Sequence, residues 1–178
     1  MAATEQVILV DENDRPLGTA EKLHAHREGL CHRAFSVFVF KDSTKQAILL
    51  QKRAKEKYHS PGLWTNTCCS HPRPDEETLL AAERRLKEEL GITVQLQNIG
   101  QFHYIAHFDN GLTENEVDHV LIGFMNDQAI TPDPLEVEDY RWITVEALQQ
   151  ELALHPEQFT PWLKQALEVV ISHCSSGG

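Results

Sequence analysis

The stretch PDEETLLAAERRLKEELGI, residues 74–92, limits the possible folds more than any other part of the chain. Leu79, Ala82, Leu86 and Leu90 recur at helical spacing, Asp75 stands where an N-cap belongs, and Gly91 stands where a left-handed C-cap belongs. The spacing predicts a helix over residues 75–90 with one apolar stripe, which has to pack on something. On its polar side Arg84 precedes Glu88 by four residues and Arg85 precedes Glu89 by four, so each pair shares a face. Taken alone, such pairs are the solvated side of many ordinary helices.

The flanking sequence supplies the partner. QVILV (6–10) reads as a strand followed by the turn residues DENDRPLG and a short LGTAEK segment. Residues 35–40 and 47–51 are apolar and β-branched with KDSTKQ between them, which suggests a hairpin, and KRAKEKYHSPG follows as a basic loop. Residues 92–108 read as one or two strands, 114–125 as another and 139–143 as a short one, while 144–152 and 161–173 have helical patterning. HAHREGLCH (24–32) is too broken by Gly29 to read as a helix. Strands outnumber helices without regular interleaving, so the expected class is α/β in the α+β sense, a mixed β-sheet sandwich flanked by helices. At 178 residues, 41% hydrophobic, the expectation is a single domain over residues 1–178 with a flexible tail from about 175.

A net charge of -11 argues against a nucleic-acid or anionic-membrane surface, so any anionic ligand needs a local cluster of Lys and Arg. The N-terminus lacks the features of a secretory signal, no apolar run approaches 18 residues, and adjacent Cys68 and Cys69 suit free thiols in a reducing compartment. These features lead us to expect a cytoplasmic protein, a monomer or weak dimer.

Read from Ser70 onward, the helix and its approach resemble a Nudix box, G-x5-E-x7-R-E-U-x-E-E-x-G-U with U apolar. Glu76, Arg84, Leu86, Glu88, Glu89, Gly91 and Ile92 keep its spacing, while Ser70 replaces the leading Gly and Arg85 replaces the Glu after the Arg. Nudix hydrolases gather carboxylates on this helix to hold divalent ions. Arg85 removes one carboxylate and repels a metal cluster, which disfavours hydrolysis and leaves room for a single ion at Glu89. Downstream, Glu114 and Glu116 are two apart, so on a strand they share a face. With His26, His32 and His71 as candidate partners they make a mixed N/O set suited to Mn, Zn, Fe or Mg. Spacing alone does not assemble that site, since alternate carboxylates usually mark an exposed strand.

TNTCCSHP, the altered box, ENEV and FTPW, in this order between about Leu17 and Trp162, are closely similar to the type I isopentenyl diphosphate isomerases, a Nudix branch. The resemblance implies interconversion of isopentenyl and dimethylallyl diphosphate through a tertiary carbocation, in isoprenoid biosynthesis. It implies that Cys69 and Glu116 are the catalytic pair, that His26, His32, His71, Glu114 and Glu116 hold a divalent ion (Mn2+, Zn2+ or Mg2+), and that His24 has no role. Glu89, with a main-chain oxygen of Cys69, matches the ligands of a Mg2+ arriving with the substrate. Lys22, Arg53, Lys57 and Arg85 match the cations that hold the diphosphate, and Tyr104 and Trp162 match the pocket's aromatics. On this reading Glu116 protonates the alkene, with Tyr104 relaying the proton if hydrogen-bonded to it, and Cys69 takes a proton as thiolate. The reverse reaction exchanges these roles. Cys68, pointing away from Cys69 on an alternating strand, is expected to pack in the core.

Overall fold

The computed structural model describes residues 5–55, 60–125 and 127–176. Among them run strands β1 (Gln6–Val10) and β2 (Pro16–Glu21), helix α1 (Lys22–Glu28), strands β3 (His32–Phe40), β4 (Ala47–Arg53), β5 (Trp64–Thr65) and β6 (Cys68–Ser70), and helix α2 (Thr78–Leu90). Strands β7 (Gln97–His107), β8 (Thr113–Phe124) and β9 (Val137–Thr144) follow, then α3 (Val145–Leu154), a single 3-10 turn (Pro156–Gln158) and α4 (Leu163–Ser176). No helix among the described residues is long and apolar enough to cross a membrane.

Strand β3 organises the sheet. Along one edge it runs parallel to β8 from the pair His32 and Glu116 to the pair Phe40 and Phe124. Its other edge meets three strands in turn: β1 at His32, β6 from Phe35 to Val37, and β4 at Phe40. The expected hairpin is therefore closed only at its turn. Beyond Phe40 and Ile48 its two strands splay, and the segment 64–70 enters the gap. There Thr67 replaces the missing ladder: its hydroxyl accepts from Val39 N at 2.8 Å and donates to Leu49 O at 2.6 Å.

Alternation along β3 feeds two cores. Phe35, Val37 and Val39 pack with Ala81, Ala82, Leu86 and Leu90 of α2, while Phe38 and Phe40 pack with Leu148 of α3 and with Leu163, Ala166 and Leu167 of α4. Helices cover both faces, which is why β3 reads as a continuous apolar run instead of a polar alternation.

Three local expectations need correction. Helix α2 begins at Thr78, not residue 75; Asp75 sits in a left-handed turn with φ 64°, and Glu77 is the N-cap without a side-chain cap. Gly91 does cap the end, with φ 68° and its N–H on Lys87 O. Residues 22–28 are helical after all, because Gly29, with φ 66°, terminates α1 instead of breaking it, while Ala25 and His26 bury its inner face.

Candidate active site

The face of the sheet that carries Ser36 gathers the polar residues. Strand β8 presents Glu114, Glu116 and Asp118 on alternate positions, all nearly inaccessible to solvent, and His32 at the start of β3 stands beside Glu116. His26 comes from α1 and His71 follows β6. One ring nitrogen from each of the three histidines lies within 4.8 Å of the others. His26 Nδ1 is 2.7 Å from Lys22 O and His32 Nδ1 is 2.9 Å from Leu30 O. Carbonyls only accept, so both Nδ1 atoms donate, which leaves Nε2 of each ring as the atom that could ligate. Glu116 Oε2 is 3.2 Å from His32 Nε2 and 2.8 Å from His71 Nε2.

Burial pushes His71 down to about 3 and lowers His26, so these rings are neutral, and the His71–Glu116 contact is a hydrogen bond and not an ion pair. Burial works to raise Glu116, but its contacts with His32 and His71 outweigh it and hold the carboxyl well below its usual range. Burial, then the adjacent Glu116, pushes Glu114 well above that range. His26, His32 and His71, with Glu116 against two of them, make a site compatible with a divalent ion.

Cys69 and Glu116 occupy strands on opposite sides of β3, roughly 10 Å apart across the sheet and, because one pairs with Ser36 and the other with His32, roughly 13 Å apart along it. Both line one cavity, together with Trp162, Arg53, Lys22 and Arg85. The half-buried Cys69 sulfur lies 3.0 Å from Asn66 Oδ1 and accepts from Trp162 Nε1 at 3.1 Å. Burial raises this thiol to about 12, with Arg53 acting in the opposite sense. A register shift between Lys52 and Arg53 interrupts the alternation of β4, and the Arg53 guanidinium lies 5.5 Å from the Trp162 ring centre.

Tyr104 on β7 stands directly opposite Glu116 and packs edge-on against Trp162 at 6.2 Å. The anticipated hydrogen bond from Tyr104 to Glu116 is not made: the hydroxyl is buried without a hydrogen-bond partner among the described residues. Cross-strand register places the two side chains side by side but does not aim one at the other. Burial holds the phenol well above its ordinary pKa.

Arg85 reaches the cavity wall while bound to carboxylates. It donates to Glu89 at 2.7 Å and Glu88 at 2.9 Å, and lies 3.5 Å from Glu136. Glu89 is buried behind it and also accepts from Gln51 at 2.9 Å. Cys68 is fully buried in the core on the α2 side, as the alternation predicts. Lys22 pairs with Glu5 at 3.2 Å, His24 is exposed, and Lys57 lies outside the described residues.

A family model described as the NUDIX domain matches residues 31–163. A Photobacterium profundum protein named isopentenyl-diphosphate Delta-isomerase is 49% identical over 179 residues, covering 99% of this chain and 99% of its own. The chain belongs to the isopentenyl-diphosphate Delta-isomerase family. Another member of that family, from Pectobacterium atrosepticum, is 49% identical over 160 residues, covering 89% of this chain and 87% of its own. Among solved structures, a Deinococcus radiodurans protein superposes with a TM-score of 0.72 at 18% identity, covering 92% of this chain and 98% of that one. A MutT NUDIX hydrolase from Burkholderia pseudomallei gives 0.62 at 22%, covering 79% and 98%. These structural likenesses establish the mixed-sheet Nudix fold alone.

In this isopentenyl-diphosphate Delta-isomerase family member, sequence reasoning missed three cavity-side residues. Asp118 extends the period-two set of Glu114 and Glu116, so continuing that alternation would have found it. Ser36, which donates to Asp118 at 2.8 Å, carries no comparable signal because its partner is 82 positions away, and the link from Asn66 to Trp162 spans 96.

Proposed function

We infer that the protein is an isomerase interconverting isopentenyl and dimethylallyl diphosphate, acting within isoprenoid biosynthesis as one catalytic domain. The observation that supports this is that Cys69 and Glu116, on strands either side of β3, line one cavity together with Trp162. A double-bond shift needs a proton added at the terminal carbon and another removed from the neighbouring CH2, so two proton-transfer groups must flank the five-carbon unit.

Lys22, Arg53, Lys57 and Arg85 hold the diphosphate, which does no chemistry but fixes the alkene between the two groups. Glu89 and the main-chain oxygen of Cys69 hold a Mg2+ that accompanies the substrate. His26, His32, His71, Glu114 and Glu116 hold the second ion, Mn2+, Zn2+ or Mg2+, which supplies positive charge that lowers the proton affinity of Glu116. Toward dimethylallyl diphosphate, Glu116 gives a proton to the alkene and Cys69 removes one as thiolate; the reverse direction exchanges these roles. The resting protein, with Cys69 raised to about 12 and Glu116 ionised, stands in the states from which the reverse direction starts. Tyr104 keeps its proton and, once substrate rearranges the cavity, donates it as a hydrogen bond or relays it. The Trp162 face stabilises the tertiary cation by about 2 kcal/mol without trapping it. Its burial, at 3% exposure, helps exclude the water that would.

The test is NMR of isopentenyl diphosphate incubated with the protein and Mg2+. Methyl signals of dimethylallyl diphosphate are the expected result. Phosphate release from nucleoside diphosphate derivatives, abolished by Glu89→Gln and unaccompanied by isomerisation, would replace this reading with a hydrolase.

A further inference from the structure

We propose that Asn66 is a positioning residue that sets the Cys69 thiol and the Trp162 indole relative to each other; the catalytic meaning of that arrangement rests on the isomerase reading. Asn66 is fully buried. Its Nδ2 donates to Val37 O at 3.1 Å and Cys68 O at 2.9 Å, which uses both amide protons and ties the side chain to β3 and β6. Because those partners are carbonyls, the orientation of the amide is fixed and Oδ1 faces the other way. That oxygen meets three donors: the Cys69 thiol at 3.0 Å, the Trp162 indole N–H at 3.2 Å and the Thr65 hydroxyl at 2.8 Å.

The indole N–H is also 3.1 Å from Cys69 Sγ, so thiol, indole and amide oxygen form a closed triangle. A cysteine side chain has three staggered rotamers, and its neighbours select among them. Here the triangle selects the one that places sulfur against the cavity. Thr65 closes the network from behind: its oxygen accepts from the Thr160 hydroxyl at 2.8 Å, and Thr160 N donates to Trp64 O at 3.0 Å. The segment that carries Trp162 is thereby held to the segment that carries Cys69. Asn66 does not line the cavity and touches no substrate on this arrangement, and its oxygen serves two of the groups that do.

Two variants and two readouts test this. The Trp162 indole N–H, assigned by Trp162→Phe, reports the triangle in the free protein through its 1H–15N correlation; steady-state isomerisation reports its consequence. Asn66→Ala is expected to move the indole signal and lower kcat about 100-fold, the scale of a misplaced reacting group, with KM for isopentenyl diphosphate within about threefold. Thr65→Val, which removes one donor to Oδ1 along with the Thr160 contact and the 3.6 Å contact to the Cys69 sulfur, is expected to shift the signal the same way and lower kcat about three- to tenfold, the scale of a neutral hydrogen bond. A folded Asn66→Ala protein with wild-type kcat, with a loss in KM alone, or with an unmoved indole signal overturns the proposal. Should circular dichroism show Asn66→Ala unfolded, Thr65→Val decides, and an unmoved signal with unchanged kcat overturns it. An inactive wild type would defeat the isomerase reading instead, and the indole signals would still test the triangle.

Discussion

Arg85 stands where the general Nudix pattern has a glutamate, and its guanidinium serves Glu88, Glu89 and Glu136 at once. A metal cluster would neutralise the same carboxylates, so this side chain does permanently what a bound ion does elsewhere in the fold. Arg85→Glu should therefore act twice. It removes the partner of the buried Glu89 and adds a like charge, which should destabilise the protein by about 3 kcal/mol or more in urea denaturation. It should also weaken diphosphate binding, measured by titration with inorganic diphosphate and Mg2+. Tighter binding by the variant would remove Arg85 from the anion site. Arg85 was legible as a departure within the helix motif, whereas Cys69 and the His and Glu set were expected only through the family resemblance, since spacing alone does not assemble them. Asn66 bonds its neighbours Cys68 and Cys69, but its role was not legible because it also depends on Val37, 29 positions away, and Trp162, 96 positions away.

At the scale of elements, the readable and unreadable parts divide along the same line. Strands β1, β3, β8 and β9 and helices α2, α3 and α4 follow from local periodicity. The splaying of β3 from β4 does not, because it depends on Thr67 entering from residues 64–70 to bond both strands. Gly29 reads equally as a helix breaker and as a helix stop, and only the burial of His26 and Ala25 against the rest of the site makes it the latter. Strand β8 carries another such dependence. Gly123 has no side chain because a Cβ there would collide with Val94 Cγ1 and lie 2.8 Å from Gln95 O and 2.9 Å from Leu96 Cδ2. One of those, Gln95 O, is backbone that cannot swing away, so Gly123→Ala should be destabilising by about 1–3 kcal/mol. An unchanged midpoint in urea would mean that the segment 94–96 yields freely.

For the whole molecule, the cavity concentrates ionisable groups whose folded and unfolded affinities for protons differ. In the metal-free protein His71 is held near 3 by burial, against 6.5 in an unfolded chain. Between those values the unfolded state binds a proton that the folded state does not, so stability falls as pH is lowered through that window, by about 1.4 kcal/mol per pH unit. Glu114 and Asp118, raised by burial, pull in the opposite sense above their ordinary values, so the wild-type curve alone mixes the two. The difference between wild type and His71→Asn reports the histidine together with its effect on Glu116: from pH 7 to pH 5 the histidine's own share should make the variant lose about 2 kcal/mol less, and parallel curves would contradict this. Such electrostatics matter because they leave a protonated thiol and an ionised carboxylate lining the same cavity. The most direct measurement is NMR of isopentenyl diphosphate and Mg2+ in D2O with wild type, Cys69→Ala and Glu116→Gln. Wild type should carry solvent deuterium into both isomers, while each variant still binds the diphosphate but neither exchanges nor converts the alkene; turnover at the wild-type rate by either variant would contradict the shared-cavity account.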